Sequence, residues 1–313
     1  MRDVAAPGGR PAPVDPRGDL PAFGSLPVTA DLESLVTRVI APNASALTLD
    51  GTNTYLIGEP GSGEVLVLDP GPADDGHLAR VEAAVAARDA QVAAVVVTHH
   101  HLDHCEAAQG WAARFGVKVH APSAEVAGPD GVVLRDGDVV GPSGAQMTAI
   151  ATPGHCSDHT GFRVASGSIL IGDHVLGRGT SVVAFPDGDL VAYMDSLARV
   201  LALGPDTLHP GHGPSLVGNA AEVVTYYAAH RAHRERQVLA VLAYAPATPR
   251  EIVEVIYAAV PKHLWPAAEA STRAALVKLA AQGVVEVSSA PGGVETARLS
   301  PERSRLNPPD ADQ

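Results

Sequence analysis

The chain has 313 residues, 46% of them hydrophobic and 18% charged, and a formal net charge of -13. This length can hold one large domain and a small one with a sizeable core. The acidic balance argues against a general nucleic-acid-binding surface, because contacts with phosphates need a basic face. No apolar run approaches the roughly 18 residues of a membrane span, so no membrane association is expected.

The first segment, residues 1–30, is rich in Pro, Gly and Asp and poor in large apolar residues, which is typical of a flexible leader. It contains no apolar stretch of the kind found in secretory signals. The two cysteines of the chain, Cys105 and Cys156, provide no disulfide framework. We therefore expect a cytoplasmic protein.

Residues 31–224 alternate strand-like and helix-like patterns, which is typical of an α/β domain. Short apolar, β-branched runs predict strands, and Ala-rich or amphipathic spacing predicts helices. The strands are expected over residues 35–40, 53–57, 65–68 and 92–97, and the helices over residues 77–88, 107–115 and 190–203.

The loop after the strand at residues 92–97 reads Thr98-His-His-His-Leu-Asp-His104. Imidazoles and a carboxylate are unfavourable to place so close together unless a cation holds them, and both groups are ligands of divalent metals. The alternative, a His-rich surface loop, is disfavoured because further candidate ligands follow downstream. The candidate ligands in this loop are His99, His101, Asp103 and His104.

Three more candidate ligands each follow a short extended segment and a turn of Gly or Pro. They are His155 in Thr152-Pro-Gly-His155, Asp173 in Gly172-Asp-His174, and His212 in Pro210-Gly-His-Gly213. Glycine and proline fix tight turns, so each side chain is presented from a rigid strand end. The sequence therefore predicts a metal site assembled from four loops.

These motifs, in this order, resemble those of the metallo-β-lactamase superfamily. Gly51-Thr-Asn-Thr-Tyr-Leu-Ile57 and Leu68-Asp-Pro-Gly71 also resemble the opening strands of that fold, so the resemblance covers most of residues 36–216. It implies an α/β fold of the four-layer αββα type, with residues 31–224 as the catalytic domain.

The resemblance also implies a site for two divalent metal ions, with Zn²⁺ favoured and Fe or Mn as alternatives. A hydroxide between the metals would be the nucleophile of a hydrolysis. Asp103, which would orient it, and Asp173 are the predicted catalytic residues. The first metal would be bound by His99, His101 and His155, the second by Asp103, His104 and His212, and Asp173 would bridge both.

Two cysteines and one histidine near these motifs are not predicted ligands. Cys105 follows His104 at a place where many relatives have a small residue before two glycines, and Cys156 follows His155. We interpret both cysteines as small buried side chains, with redox sensitivity beside the metals as the alternative. His159 has two interpretations, as a buried structural residue or as a residue on the substrate side.

Residues 225–300 have a different pattern, with a long helix predicted over residues 226–243 and a second helix that starts at Thr248. That start is indicated by Thr248-Pro-Arg-Glu251, in which a capping box follows from the first and last residues and the proline suits the first helical position. A third helix over residues 267–281 and two strands joined through Pro291-Gly-Gly293 complete a small α+β winged-helix domain. A disordered tail is expected over residues 301–313.

A winged helix that binds DNA needs Arg, Lys, Asn or Gln on its reading helix. The third predicted helix offers only Arg273, Lys278 and Gln282 among mostly Ala residues. We therefore expect no sequence-specific DNA binding, and favour a structural role that closes one side of the active site or forms a homodimer contact.

The combination of this winged helix with the metal motifs is similar to the β-lactamase-like protein 2 group. That similarity implies a metal-dependent hydrolase and favours an endoribonuclease that cleaves single-stranded RNA. An acyl-thioester hydrolase, of the glyoxalase II or carrier-protein thioesterase type, is the first alternative, and the acidic net charge counts against RNA. A nucleic-acid-binding regulator without turnover is the second alternative, although the complete ligand set argues against it.

Overall fold

The structure is a computed structural model that describes residues 11–289, 293 and 295–301. Most of the predicted Pro291–Gly293 connection lies outside the described residues. So do the first ten residues of the predicted leader and all but the first residue of the predicted tail.

The first sheet has seven strands that follow one another in chain order. The pairs up to β4 are antiparallel, and the pairs from β4 to β7 are parallel, with helices on the connections. The strands are β1 (Thr29–Glu33), β2 (Val36–Ile40), β3 (Asn53–Ile57), β4 (Glu64–Leu68), β5 (Gln91–Val96), β6 (Val119–Ala121) and β7 (Val132–Val133). The helices are α1 (Asp75–Ala87), α2 (Leu102–Cys105), α3 (Ala108–Phe115) and α4 (Ala124–Ala127).

The second sheet has six strands in the order β13-β12-β11-β10-β9-β8. All its pairs are antiparallel except β11 with β12, which are parallel and joined by a crossover through α5. The elements are β8 (Val139–Val140), β9 (Met147–Ala151), β10 (Thr160–Val164), β11 (Ile169–Gly172), α5 (Leu190–Ala202), β12 (Thr207–Pro210) and β13 (Leu216–Val217).

Three buried apolar clusters define the layers of the catalytic domain. One cluster lies between the sheets and includes Leu66 and Phe162. A second, with Trp111, joins the first sheet to α1 and α3, and a third, with Leu197, joins the second sheet to α5 and the helix that follows β13. Because each sheet buries both faces, its strands are nearly continuous in apolar residues. The predicted four-layer αββα sandwich is confirmed.

The C-terminal part contains three helices and a two-stranded wing, as predicted. Thr248 Oγ1 accepts a hydrogen bond from Glu251 N at 3.2 Å, and the Glu251 carboxylate accepts one from Thr248 N at 2.7 Å, which forms the predicted capping box. The elements are α6 (Ala220–Leu242), α7 (Pro249–Ile256), a 3-10 turn (Lys262–Leu264), α8 (Trp265–Ala281), β14 (Val285–Ser289) and β15 (Glu295–Leu299).

Helix α6 begins at Ala220 rather than at residue 226, and so runs across the predicted boundary between residues 224 and 225. Val223, Val224 and Tyr227 are buried in the outer core of the second sheet. Tertiary packing thus extends the helix toward its N-terminus, and one element belongs to both parts of the chain.

The described part of the predicted leader lies against the catalytic domain. Arg17 is 7% exposed, and its guanidinium donates to the carbonyl oxygens of Leu176 and Gly179 at 3.1 and 2.7 Å. Composition alone suggested a flexible segment, whereas these charge-assisted bonds fix its middle. Among the described residues, no helix is both long and apolar enough to cross a membrane.

Candidate metal centre

The seven predicted ligands meet at one end of the two sheets. The loop after β5 carries four of them, and single residues follow β9, β11 and β12. The ligand atoms of His99, His101 and His155 lie within 4.8 Å of one another, and those of Asp103, His104 and His212 do the same. The structure therefore brings the residues together in the two groups of three that the resemblance implied.

Asp173 lies between the two groups. Its Oδ2 is 3.9 Å from His155 Nε2 and 3.4 Å from His212 Nε2, and its Oδ1 is 3.4 Å from His104 Nε2. Oδ1 is buried and has no hydrogen-bond partner among the described residues. One carboxylate thus faces ligands of both groups, as the predicted bridging role requires.

Hydrogen bonds fix the tautomers in the first group. His155 Nδ1 lies 2.6 Å from the carbonyl oxygen of Val182, which can only accept, so Nδ1 carries the proton. Thr98 Oγ1 donates to Asp69 Oδ2 at 2.8 Å and therefore accepts from His99 Nδ1 at 2.9 Å. In both rings Nε2 is left unprotonated, and both Nε2 atoms lie 3.0 Å from His101 Nδ1.

The second group is arranged in the same way. His104 Nδ1 donates to Asp69 Oδ2 at 2.9 Å, and His212 Nδ1 donates to the carbonyl oxygen of Gly51 at 3.2 Å. The two Nε2 atoms, which then carry lone pairs, face each other at 3.2 Å. Lone pairs that converge at this distance repel unless a cation lies among them. The donor set therefore fits divalent metal ions that accept imidazole and carboxylate ligands.

Asp69 orients ligands of both groups, and sequence reasoning did not identify it as a functional residue. It contacts His104 directly and His99 through Thr98, whose backbone N–H also donates to Asp69 Oδ1 at 2.7 Å. The residue is 1% exposed and directly follows β4. Its place at a strand end beside the motif loop was the available signal. Carboxylates behind metal-binding histidines are a common device for fixing ring orientation.

Two glycines leave room for the ligands. A Cβ at position 211 would lie 2.5 Å from Asp173 Oδ1 and 2.7 Å from His104 Cε1. Gly172 has a φ of +49°, and a Cβ there would lie 2.6 Å from His159 Nε2. The predicted Gly punctuation therefore reflects close packing against the site as well as tight turns.

His159 is a buried positioning residue, which decides between its two interpretations. Its ring is 1% exposed, and its Nε2 accepts a hydrogen bond from Asp173 N at 3.1 Å. Its Nδ1 therefore donates to Thr152 Oγ1, at 2.8 Å. The side chain thus fixes the backbone of Asp173 from behind and does not face the substrate side.

Burial and neighbouring charges separate the protonation of the two groups. Burial lowers the pKa of His101 to about 4 and the pKa of His99 well below its usual value, so both rings are neutral at pH 7. Burial also acts to lower the pKa of His212, but the carboxylates of Asp173 and Asp103 raise it to about 9. Carboxylates that stabilise a proton here also stabilise a metal ion, so metal binding at the second group competes with protons.

The mouth of the site carries acidic side chains. His100 lies beside the ligands, and its Nδ1 is 2.8 Å from Asp158 Oδ1 and its Nε2 3.5 Å from Asp187 Oδ2. The side chain of Asp103 is 32% exposed. These carboxylates give the entrance a negative potential.

The two cysteines are not reactive thiols in this setting. Cys105 Sγ donates to the carbonyl oxygen of His100 at 3.2 Å, and burial raises the pKa of this thiol to about 11. Cys156 is fully buried, and burial raises its pKa further. The interpretation as small buried side chains is favoured, because oxidation proceeds through the thiolate.

Two families match the chain. The family described as Metallo-beta-lactamase superfamily matches residues 47–212, and the Beta-lactamase associated winged helix domain matches residues 248–293. These two regions correspond to the αββα sandwich with the metal centre and to the three-helix unit with its wing.

Curated relatives span nearly the whole chain. A Beta-lactamase-like protein 2 homolog of Drosophila melanogaster is 31% identical over 281 residues, which are 84% of this chain and 94% of that protein. An Atrochrysone carboxyl ACP thioesterase of Aspergillus fumigatus is 32% identical over 251 residues, 75% of this chain and 78% of that protein. A crystal structure of a Beta-lactamase domain protein from Burkholderia ambifaria has a TM-score of 0.75 at 22% identity, covers 90% of this chain and 96% of that one, and shares its fold.

Proposed function

Because the chain belongs to the metallo-beta-lactamase superfamily of metal-dependent hydrolases, we propose that it hydrolyses acyl thioesters. The seven predicted ligands would hold two divalent ions, Zn²⁺ by preference and Fe or Mn as alternatives. Bound there, such ions supply a Lewis acid for the thioester carbonyl and lower the pKa of a water to about 7. The products would be a carboxylic acid and a free thiol.

Asp103 is assigned the orientation of the attacking water. Burial acts to raise the pKa of this carboxyl, but His212 and His104 hold it below its usual value, so the group is ionised at neutral pH. An ionised carboxylate at a partly exposed position can accept a hydrogen bond from water. Asp173 is assigned the shared position between the two groups, where its charge opposes separation of the cations.

The acidic mouth is the observation that carries the choice of substrate. Asp158 and Asp187 flank the entrance beside His100, and the whole chain has a net charge of -13. A polyanion such as RNA approaches this potential unfavourably, whereas a thioester has no charge at the reacting centre. This consideration moves the preference from the RNA phosphodiester to the thioester.

Apolar side chains on the loops around the site support the same choice. Leu102, between two predicted ligands, is 71% exposed. Leu47 and Phe185 are also exposed, on the loops that lead to Gly51 and Asp187. Exposed apolar groups beside a site suit an acyl chain or a pantetheine arm. The thioesterase named among the relatives acts on a carrier-protein thioester, which is consistent with this substrate class.

The regulator hypothesis gains no support from the winged helix. On α8, Arg273 is within 3.0 Å of Glu269 and 2.8 Å of Glu295, and Lys278 is 2.5 Å from Glu235. Cations already paired with carboxylates contribute little to phosphate binding. The surface of this helix therefore favours a structural role over sequence-specific DNA binding.

The test is hydrolysis of an S-acyl pantetheine thioester by the Zn- and Mn-loaded protein, followed by release of thiol. The same preparation is incubated with a labelled single-stranded RNA. The control is Asp173→Ala, purified identically, in which the shared carboxylate is missing. We expect thiol release from the wild type and a reduction of at least about 1,000-fold in the variant, as for the loss of a principal electrostatic group.

Metal-dependent RNA cleavage without thiol release would overturn the thioester proposal and restore the endoribonuclease alternative. Equal thiol release by wild type and Asp173→Ala would show that the observed hydrolysis does not come from this site. A third result, turnover of neither substrate with two metals bound, would reject both substrate classes.

A further inference from the structure

Arg231 of α6 is a buried cation that contacts the loop of residues 173–183, which follows β11. It is 7% exposed, its guanidinium lies 5.0 Å from the ring centroid of Tyr193, and its Nη2 donates to the carbonyl oxygen of Ser181 at 2.5 Å. Its Nε has no hydrogen-bond partner among the described residues. A buried guanidinium costs free energy that an apolar side chain would not, so packing alone does not account for it.

The residues that Arg231 holds are in contact with the metal centre. Ser181 Oγ donates to the carbonyl oxygen of Asp173 at 2.5 Å, and it lies 3.2 Å from His155 Nδ1. The next carbonyl, that of Val182, accepts the Nδ1 proton of His155 at 2.6 Å. One short segment therefore fixes the tautomer of His155 and the backbone of Asp173.

We propose that Arg231 is a positioning residue that orients His155 and Asp173 by holding the carbonyl of Ser181. The guanidinium is anchored on the ring of Tyr193, and its planar geometry directs Nη2 at one oxygen. Without it the segment at Ser181 and Val182 is free to shift, and the acceptor of His155 shifts with it. Outer partners of this kind affect metal affinity although they touch no metal.

A second residue of α6 holds the same loop. Tyr227 lies one helical turn before Arg231, and its hydroxyl accepts from Leu176 N at 2.8 Å and lies 3.2 Å from the carbonyl oxygen of Gly179. The helix that leads into the winged-helix unit thus contacts the loop at two points. Through Arg231 the C-terminal part of the chain contributes to the geometry of the metal centre.

The test is metal binding by the full-length variants Arg231→Met and Arg231→Lys. Apoprotein is titrated with Co²⁺, followed by its d–d absorption, and with Zn²⁺ in competition with a chromophoric chelator. We expect Arg231→Met to bind one of its two metal equivalents about 10-fold more weakly, at the low end for outer partners of a metal site, with an altered Co²⁺ spectrum. Arg231→Lys should show a smaller change in the same direction, because a lysine cannot stack and reach the carbonyl together.

Arg234→Met is the matched control, since this residue lies on the same helix and its guanidinium is 4.7 Å from the ring of Tyr257. It should lower stability without changing the Co²⁺ spectrum. The double variant with Ser181→Ala provides a second criterion: if Arg231 acts through this segment, the two effects on metal affinity are not additive.

A wild-type spectrum and wild-type affinities in either Arg231 variant would overturn the proposal, as would changes equal to those of Arg234→Met. Additive effects with Ser181→Ala would also reject it. If Arg231→Met does not fold, Arg231→Lys and its double variant decide. The inference rests on the metal centre and not on the thioester, so failure of the substrate proposal leaves its test intact.

Discussion

The two halves of the catalytic domain contribute to the metal centre in different ways. The first sheet provides four predicted ligands from the single loop after β5. The second sheet provides His155, Asp173 and His212 from three loops. Local chain geometry brings the first set together, whereas the second set meets only because β9, β11 and β12 end at the same edge.

The difference concerns which forces hold each half. In the first half, one carboxylate behind the loop, that of Asp69, orients both His99 and His104. In the second half every ligand has its own anchor: Val182 for His155, His159 for Asp173, and Gly51 for His212. A change in the first half should therefore affect both metals, and a change in the second half should affect mainly one.

Asp69→Ala should have the largest effect, because it removes the anchor of both groups. We expect a 10- to 100-fold loss of metal affinity at both sites. The free energy of unfolding should also fall by on the order of 3 kcal/mol, since several buried donors lose their acceptor. Chelator competition and chemical denaturation measure the two quantities.

Asp74→Ala is the control for this prediction. Asp74 caps α1 by accepting a hydrogen bond from His77 N at 2.7 Å, so its loss should cost about 1 kcal/mol of stability and leave metal affinity unchanged. A loss at only one site in Asp69→Ala would contradict the idea that the first half has a single shared anchor.

Gly211→Ala should be the next largest, and it tests the second half. The added Cβ would meet Asp173 Oδ1 at 2.5 Å and His104 Cε1 at 2.7 Å. We expect the free energy of unfolding to fall by about 1–3 kcal/mol, as for other overpacked sites, together with weaker metal binding. Unfolding and metal content should be measured on the same preparation, and a variant with wild-type values in both would show that the loop adapts without strain.

Asn53→Ala should have a smaller effect, directed at His212. The buried Asn53 Nδ2 donates to the carbonyl oxygens of Pro210 and Gly213, each at 2.9 Å, and so holds both sides of this ligand. Loss of these bonds should lower the free energy of unfolding by about 2 kcal/mol. One metal equivalent should weaken more than the other. Thr37→Ala, at the other end of β2, serves as a control that changes stability without selective loss of metal, and equal weakening of both equivalents would refute the one-anchor arrangement.

Gly110→Ala should have the smallest effect, and of opposite sign. Gly110 is in α3, just beyond the ligand loop, and a Cβ there would meet nothing within 4 Å. We expect the free energy of unfolding to rise by about 0.5–1 kcal/mol, with unchanged metal affinity. Thermal unfolding is the measurement. A decrease in stability would mean that the connection after the ligand loop is more constrained than its open surroundings indicate.

Much of the architecture could be predicted from the sequence. Apolar β-branched runs predicted β3 to within its ends, and the capping box at Thr248 predicted the start of α7. The start of α6 was predicted too late, because residues 220–225 are helical through their contacts with the second sheet and carry no strong local signal. Periodicity alone indicated an α/β domain, and the resemblance of the motifs supplied the sandwich.

The sequence by itself determined which side chains meet at the metal centre, because ligands with several hydrogen-bonding and metal-binding atoms stand out as motifs. Only the tertiary structure decided how those side chains are held. The protonated nitrogen of each ring is set by Asp69, Val182 and Gly51, and Ser181 is held by Arg231. These partners are far apart in the chain, and a single hydrogen bond between distant residues leaves neither a spacing nor a periodicity that a sequence can display.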